Sequence, residues 1–281
     1  MTEAASSVLS TLKNSTLLAT EHPHETALVL LSHVLGKPKT WVIVHNETYL
    51  STEQSTELNL LFERLLRGEP LAYLTGKQAF FGLDFKVTPD VLIPRPETEL
   101  LVDKALDWLA SHPETQHGLD IGTGSGCIPI SLLKHAADLQ MTATDISAAA
   151  LSLTAENAAT HQVTDRIRFI QADLLEQLEG RFDLITANLP YVPTEKLVDV
   201  NSLAYEPRLA LDGGEDGLTL IRRLLNQAPN HLNQPGLILL EIESTLGAES
   251  HALALSAFPT AEVWLHQDLT GLNRLVSIQV T

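Results

Sequence analysis

Along the first third of the chain, apolar residues recur every three or four positions. Ala27, Leu28, Leu30, Leu31, Val34 and Leu35 share one side of a helix that Gly36 and Pro38 end. A second helical run over 55–67 carries Leu58, Leu61, Phe62, Leu65 and Leu66 on one side. Ser51-Thr52-Glu53-Gln54 supplies capping residues ahead of it, and Gly68 stops it. The period then changes. Phe80 to Val87, followed by Val91-Leu92-Ile93, reads as a short hairpin with Pro89-Asp90 at its turn. Pro94 and Pro96 stiffen the chain before a helix that starts near Glu97. Beyond it, apolar runs at 117–121, 140–146, 167–172, 182–188, 236–242, 261–265 and 273–280 are separated by helical patterns such as Ser147 to His161. Strand-helix alternation predicts an α/β domain with a parallel, doubly wound sheet and helices on both faces. The last two runs flank Gly271-Leu272-Asn273 and read as a hairpin, which puts an antiparallel strand at one edge. The pattern thus divides the chain into a small helical bundle over 1–75, a hairpin linker over 76–96 and an α/β domain over 97–281.

Length agrees with that division, since 281 residues leave room for about two domains. The single cysteine, Cys127, excludes an internal disulfide and a Cys-rich zinc site, and suits a reduced compartment. His22, His24, His33 and His45 have no carboxylates at ligand spacing, so no metal site is expected. The start of the sequence lacks the basic and apolar run of a signal peptide, and no stretch approaches a membrane span. A cytoplasmic protein without membrane contact is the expectation. Charge narrows the partners: 18 Lys+Arg against 35 Asp+Glu give a formal net charge of −17. Such a surface repels phosphate backbones and argues against direct nucleic-acid binding. Solubility is its simplest meaning, and attraction to a basic protein partner the sharper one.

Candidate chemistry concentrates at the ends of the strands, where open α/β sheets bind ligands. The first strand of the α/β domain ends in Leu119-Asp120-Ile121-Gly122-Thr123-Gly124-Ser125-Gly126. Glycines on alternate positions let the backbone turn tightly and approach a ligand that a Cβ would block. A dinucleotide fingerprint needs Gly-x-Gly-x-x-Gly, and Cys127 holds its last position. The tighter spacing fits S-adenosylmethionine better than a pyrophosphate. Asp145, at the end of the second strand, suits the ribose hydroxyls, and Asp173, at the end of the third, the adenine. A helix-capping role is open to both.

The fourth strand runs into Asn188-Leu189-Pro190-Tyr191-Val192-Pro193. A planar NH2 group has its lone pair tied up by conjugation. Methylating it requires two acceptors for its N–H bonds, and the Asn188 oxygen with a nearby main-chain carbonyl can provide them. The prolines stiffen the loop, and Tyr191 can pack against the planar group. Alignment and water exclusion then supply most of the acceleration.

These residues carry a resemblance. The chain resembles the protein-(glutamine-N5) methyltransferases that modify bacterial peptide chain release factors, the HemK/PrmC family, over nearly its whole length. The likeness includes Leu92-Ile93-Pro94-Arg95-Pro96-Glu97-Thr98-Glu99, the glycine loop, Asn188-Leu189-Pro190-Tyr191, and Glu206-Pro207-Arg208-Leu209-Ala210-Leu211-Asp212-Gly213-Gly214. It implies a Rossmann-like, seven-stranded class I methyltransferase domain, and a helical N-terminal domain that helps hold the release factor. It implies that Gly122, Thr123, Gly124, Ser125, Gly126, Asp145, Asp173 and Leu174 bind S-adenosylmethionine, with Asn188 adjoining. Asn188, Leu189, Pro190 and Tyr191 would then bind the glutamine of a Gly-Gly-Gln loop, with Asn188, Pro190 and Tyr191 taking part in catalysis. Two positions depart from the family pattern: Leu189 replaces a proline, which costs rigidity, and Glu243 replaces a glycine, with no role legible in the sequence. Three other readings stay open: a glutamine methyltransferase of a ribosomal protein, an adenine-N6 methyltransferase of nucleic acid, and a non-catalytic cofactor-binding module.

Overall fold

The structure, a computed structural model, describes Ala5 and residues 22–114, 116–198 and 205–281. The chain divides into two compact units, Met1–Gly76 and Lys77–Thr281.

The first unit is helical where it is described. Its helices are α1 (Pro23–Leu35), α2 (Lys39–Val44), α3 (Thr52–Leu66) and α4 (Leu71–Thr75). Gly36 ends α1 in the left-handed conformation, with φ at 61°. The α3 helix starts three residues before the predicted point. Ser51 itself is the N-cap: its hydroxyl accepts from the Gln54 backbone N–H while the Gln54 side chain accepts from the Ser51 N–H. The residues read as a preceding cap are therefore its first turn. Ala27, Leu30, Leu31, Val42, Leu58, Leu61 and Leu74 close the core of this unit.

The second unit opens with a hairpin, β1 (Lys77–Phe80) and β2 (Leu83–Lys86). Its turn is Phe81-Gly82, not Pro89-Asp90, and Val91 to Ile93 form no strand. Both turn residues have positive φ, 49° and 72°, the backbone whose twist matches paired strands. Asn157 fastens the hairpin down. Its Oδ1 accepts from the Lys86 N–H at 2.8 Å, while its Nδ2 donates to Lys86 O at 3.0 Å and to Ser125 O at 2.8 Å.

The rest is a three-layer α/β sandwich. It comprises α5 (Glu99–Ser111), β3 (His117–Ile121), α6 (Cys127–His135), β4 (Gln140–Asp145), α7 (Ala148–Thr160), β5 (Ile167–Gln171) and β6 (Phe182–Ala187), followed by α8 (Thr219–Gln227), β7 (Leu232–Glu241), α9 (Gly247–Ala257), β8 (Glu262–Gln267) and β9 (Asn273–Val280). Seven strands pair in the order β5-β4-β3-β6-β7-β9-β8. Strands β5 to β7 are mutually parallel, and β9 is antiparallel to both neighbours. The reversed strand lies one place in from the edge, since β9 inserts between β7 and β8 instead of flanking the sheet. Alternation along the strands builds both outer layers. Ile121, Ile185, Ile238 and Leu240 face α8 and α9. Leu184, Leu237 and Leu239 point the other way, into a core shared with α5, α6 and α7. Strand order changes direction between β3 and β6, and a crevice opens at their carboxyl ends there. Among the described residues, no helix is long and apolar enough to cross a membrane.

Candidate active site

A cavity of about 480 Å³ occupies that crevice, ample for a nucleoside-sized ligand. Its walls include Gly122, Thr123, Gly124, Ser125, Asp145, Asp173, Leu174, Asn188, Leu189 and Pro190. The sequence-predicted residues of both halves therefore meet in one place. Gly126 and Tyr191 adjoin the cavity without lining it.

The glycine loop follows β3 with Gly122, Gly124 and Gly126 all left-handed, at φ of 70°, 56° and 79°. A Cβ on Gly126 would come within 2.5 Å of Thr154 Cγ2, so this glycine serves packing against α7. At Gly124 a Cβ would meet nothing within 4 Å, and the loop faces open space. Asp145 fixes the loop and its own strand end together: Oδ2 accepts from the Gly124 N–H at 2.9 Å and Oδ1 from the Ser147 N–H at 2.8 Å. Burial raises its pKa, and these backbone N–H groups act against that rise. Each oxygen keeps a lone pair for a ligand hydroxyl. Asp173 makes an ion pair with Arg223 of α8 at 2.9 Å, which holds the carboxylate at the cavity wall. Leu174 is buried, with a left-handed φ of 55°.

Beneath the loop lies a carboxyl group the motif reading passed over. Asp120 is 1 % exposed, and its Oδ1 accepts from the Thr186 hydroxyl at 2.6 Å. Its Oδ2 and the Thr123 Oγ1 are buried without a hydrogen-bond partner. Burial pushes the Asp120 carboxyl up to about 7, against the pull of the Thr186 hydroxyl. Asp120 does not line the cavity and lies beneath the loop, out of a ligand's reach. Cys127 is also buried, which pushes its thiol up to about 12 and leaves it no nucleophile.

On the acceptor side, Asn188 sits at the end of β6 with its Nδ2 donating to the Thr98 hydroxyl at 3.1 Å. That contact leaves Oδ1 as the acceptor. Leu189 is 4 % exposed in the core, and its side chain packs under Gly122. Tyr191 turns its hydroxyl toward Glu241 Oε1 at 3.4 Å, and burial raises its pKa.

The segment from Glu206 to Gly214 supports this loop from behind. Val192 exchanges hydrogen bonds with that segment: its N–H donates to Leu211 O at 3.0 Å, and the Gly213 N–H donates to Val192 O at 2.8 Å. A Cβ on Gly213 would lie 2.6 Å from the Tyr191 Cα, so only glycine allows the approach. Thr194 donates to Asp212 Oδ1 at 2.6 Å. At the other end, the buried Glu206 carboxylate accepts from Arg95 and, at 3.2 Å, from the Ile93 N–H. Arg95 therefore locks the Ile93-Pro94-Arg95 stretch to the far side of the cavity. Glu243 caps the turn at Ser244–Leu246, accepting from the Thr245 N–H at 2.8 Å. Among the described residues, no cluster of three or more His, Cys, Asp or Glu is placed to hold a metal ion.

Comparison with known proteins places this geometry. Residues 98–203 match the methyltransferase small domain, and residues 8–76 match the PrmC N-terminal domain. In solved structures, the chain is similar to the human Mettl16 catalytic domain in complex with an RNA hairpin of the MAT2A 3′UTR. The TM-score is 0.56 at 15 % identity, over 84 % of this chain and 86 % of that one, a likeness of fold alone. The release factor glutamine methyltransferase of Bordetella pertussis is 38 % identical over 256 residues, covering 90 % of this chain and 93 % of that protein. That of Lactococcus lactis subsp. lactis is 38 % identical over 265 residues, covering 92 % and 95 %. A methyltransferase crevice and kinship along nine-tenths of the sequence lead to one conclusion: the chain belongs to the release factor glutamine methyltransferase family.

Proposed function

We propose that this protein transfers a methyl group from S-adenosylmethionine to the side-chain amide nitrogen of the glutamine in the Gly-Gly-Gln loop of peptide chain release factors. The observation that carries the reading is Asn188. Its Nδ2 is occupied by Thr98 at the wall of the cavity, which leaves Oδ1 to accept from an incoming NH2 group.

The residues present fit the cofactor. Gly122, Thr123, Gly124, Ser125 and Gly126 would cradle it, Asp145 would accept from its ribose, and Asp173 with Leu174 would flank its adenine. At Gly124 a Cβ would meet nothing within 4 Å, which leaves the loop backbone open to the cofactor. S-adenosylmethionine supplies an electrophilic methyl group on a sulfonium that is a good leaving group. Asn188 and a main-chain carbonyl of the Leu189-Pro190 stretch would hold both N–H bonds of the glutamine amide and aim its nitrogen at that carbon. Tyr191, anchored on Glu241, would pack against the amide plane. The apolar Leu189 and Pro190 at the cavity wall would limit water beside the reacting atoms once substrate is bound. The excess proton leaves once the methyl has been transferred, so no base of raised strength is required. The helical unit over 1–75 would help to hold the release factor.

The test is methyl transfer from labelled S-adenosylmethionine to unmodified release factor, with Asn188→Ala alongside and peptide mass spectrometry as readout. One added methyl on the Gly-Gly-Gln glutamine is expected. The substitution should cost roughly 100- to 1,000-fold in kcat, with cofactor affinity retained, as for loss of one polar group aligned with a reacting centre. Incorporation at another protein or residue would overturn the substrate assignment.

A further inference from the structure

The cavity has apolar walls that neither the glycine cradle nor Asn188 accounts for. One comes from Val91, Leu92 and Pro94, the other from Pro207, Leu209 and Ala210. Glu206 ties the two segments together, accepting from the Ile93 N–H at 3.2 Å and from Arg95. Leu209 differs from the rest of these walls, being 58 % exposed although it lines a cavity. We propose that Leu209 is a specificity-determining residue for methyl transfer, packing against the main chain beside the target glutamine and selecting glycine there. The inference rests on the cavity being a site of glutamine methylation.

Single exposed leucines are ordinary on a protein surface, so position and support carry the argument. Leu209 occupies the middle of a short 3-10 turn, Arg208–Ala210. Main-chain hydrogen bonds close that turn. The Ala210 N–H donates to Pro207 O at 2.8 Å, and the Leu211 and Asp212 N–H groups both donate to Arg208 O at 3.0 Å. Arg208 also forms an ion pair with Asp212 at 3.2 Å. Two residues beyond Leu209, Leu211 O accepts from the Val192 N–H at 3.0 Å, which fixes the turn to the acceptor loop. Backbone geometry thus holds Leu209 on the acceptor side of the cavity, while most of its surface stays open to a ligand.

A glutamine delivers its amide on a short arm. Standard bond lengths put the amide nitrogen roughly 5 Å from its own Cα, with the adjoining Cα only about 3.8 Å farther along the chain. With the amide at Asn188, the main chain of the flanking residues must therefore come to the mouth of the cavity. An apolar wall there meets a peptide segment. Glycine lets that segment lie against the wall, whereas a Cβ would hold it off and draw the amide away from Asn188. A displacement of about 1 Å at the reacting nitrogen is worth up to ~100-fold in rate, so Leu209 discriminates through alignment.

The test measures kcat/KM for two release factor substrates, one with a Gly-Gly-Gln loop and one with Gly-Ala-Gln, using the wild type, Leu209→Ala and Leu209→Met. The wild type should prefer Gly-Gly-Gln by at least about 10-fold. Leu209→Ala should narrow that preference to about 3-fold or less, and Leu209→Met, which keeps the bulk, should retain it. KM for S-adenosylmethionine should be the same in all three, because Leu209 meets the peptide and not the cofactor. An unchanged preference in Leu209→Ala, no preference in the wild type, or a raised cofactor KM in Leu209→Ala would overturn the proposal. A wild type that fails to methylate the Gly-Gly-Gln substrate would instead overturn the functional reading beneath it.

Discussion

Two carboxyl groups under the cavity, Asp120 and Glu241, share an unusual state: each is nearly sealed from water and has one oxygen without a partner. Burial without full compensation disfavours the charged form. For Asp120 the folded-state value, about 7, lies above the ordinary 3.8. A raised carboxyl value means the unfolded chain releases its proton first as pH rises. The stability Asp120 contributes is therefore fully present below 3.8 and is lost as pH climbs through about 7. The melting temperature of the cofactor-free protein should fall between about pH 5 and pH 8, and Asp120→Asn should flatten that decline; an unchanged slope would contradict this account. Neither carboxyl stood out in the sequence. Both sit among apolar strand residues, and what distinguishes them is the neighbours that β6 and the turn before α5 bring from far along the chain. Leu189 was legible as a departure from the family's proline, but only packing shows that its side chain is part of the core.

At the scale of elements, the central strands were readable because both of their faces are buried, which leaves continuous apolar runs between helical patterns. The hairpin turn was not. Phe81 offers none of the small or amide side chains that usually mark a left-handed turn residue, whereas Pro89-Asp90 nearby advertises a turn that joins no strands. The hairpin also proves to be tied to the glycine loop. Asn157 is 1 % exposed and bonds both Lys86 and the Ser125 carbonyl. Asn157→Leu would leave those backbone groups unsatisfied and should cost about 2–4 kcal/mol of stability by chemical denaturation. Calorimetry should show weaker cofactor binding as well, since Ser125 loses its tether. Unchanged affinity would mean that the glycine loop holds its shape alone.

For the molecule as a whole, the formal charge of −17 sets up a field that repels a phosphate backbone. Fold likeness does not decide substrate, since substrate is read by the site and the field around it. Gel shifts with RNA or duplex DNA at low salt should show no binding at protein concentrations that saturate with S-adenosylmethionine; a salt-sensitive shift would revive a nucleic-acid substrate.

The insertion of β9 between β7 and β8 also sets a timetable. Strand β7, a run of apolar residues ending in Glu241, pairs with β6 on one side and waits for β9 on the other. In a growing chain, about forty residues must still be made after Glu241 before Val280 appears, roughly 2–8 s at 5–20 residues per second. For that interval the edge of β7 is open, and Glu241 lacks the strand that carries Arg274. A ribosome making this protein thus completes the whole wall of the cavity before β7 gains its second neighbour. The residues after Glu241 therefore add no wall to the cavity and instead seal the sheet behind it.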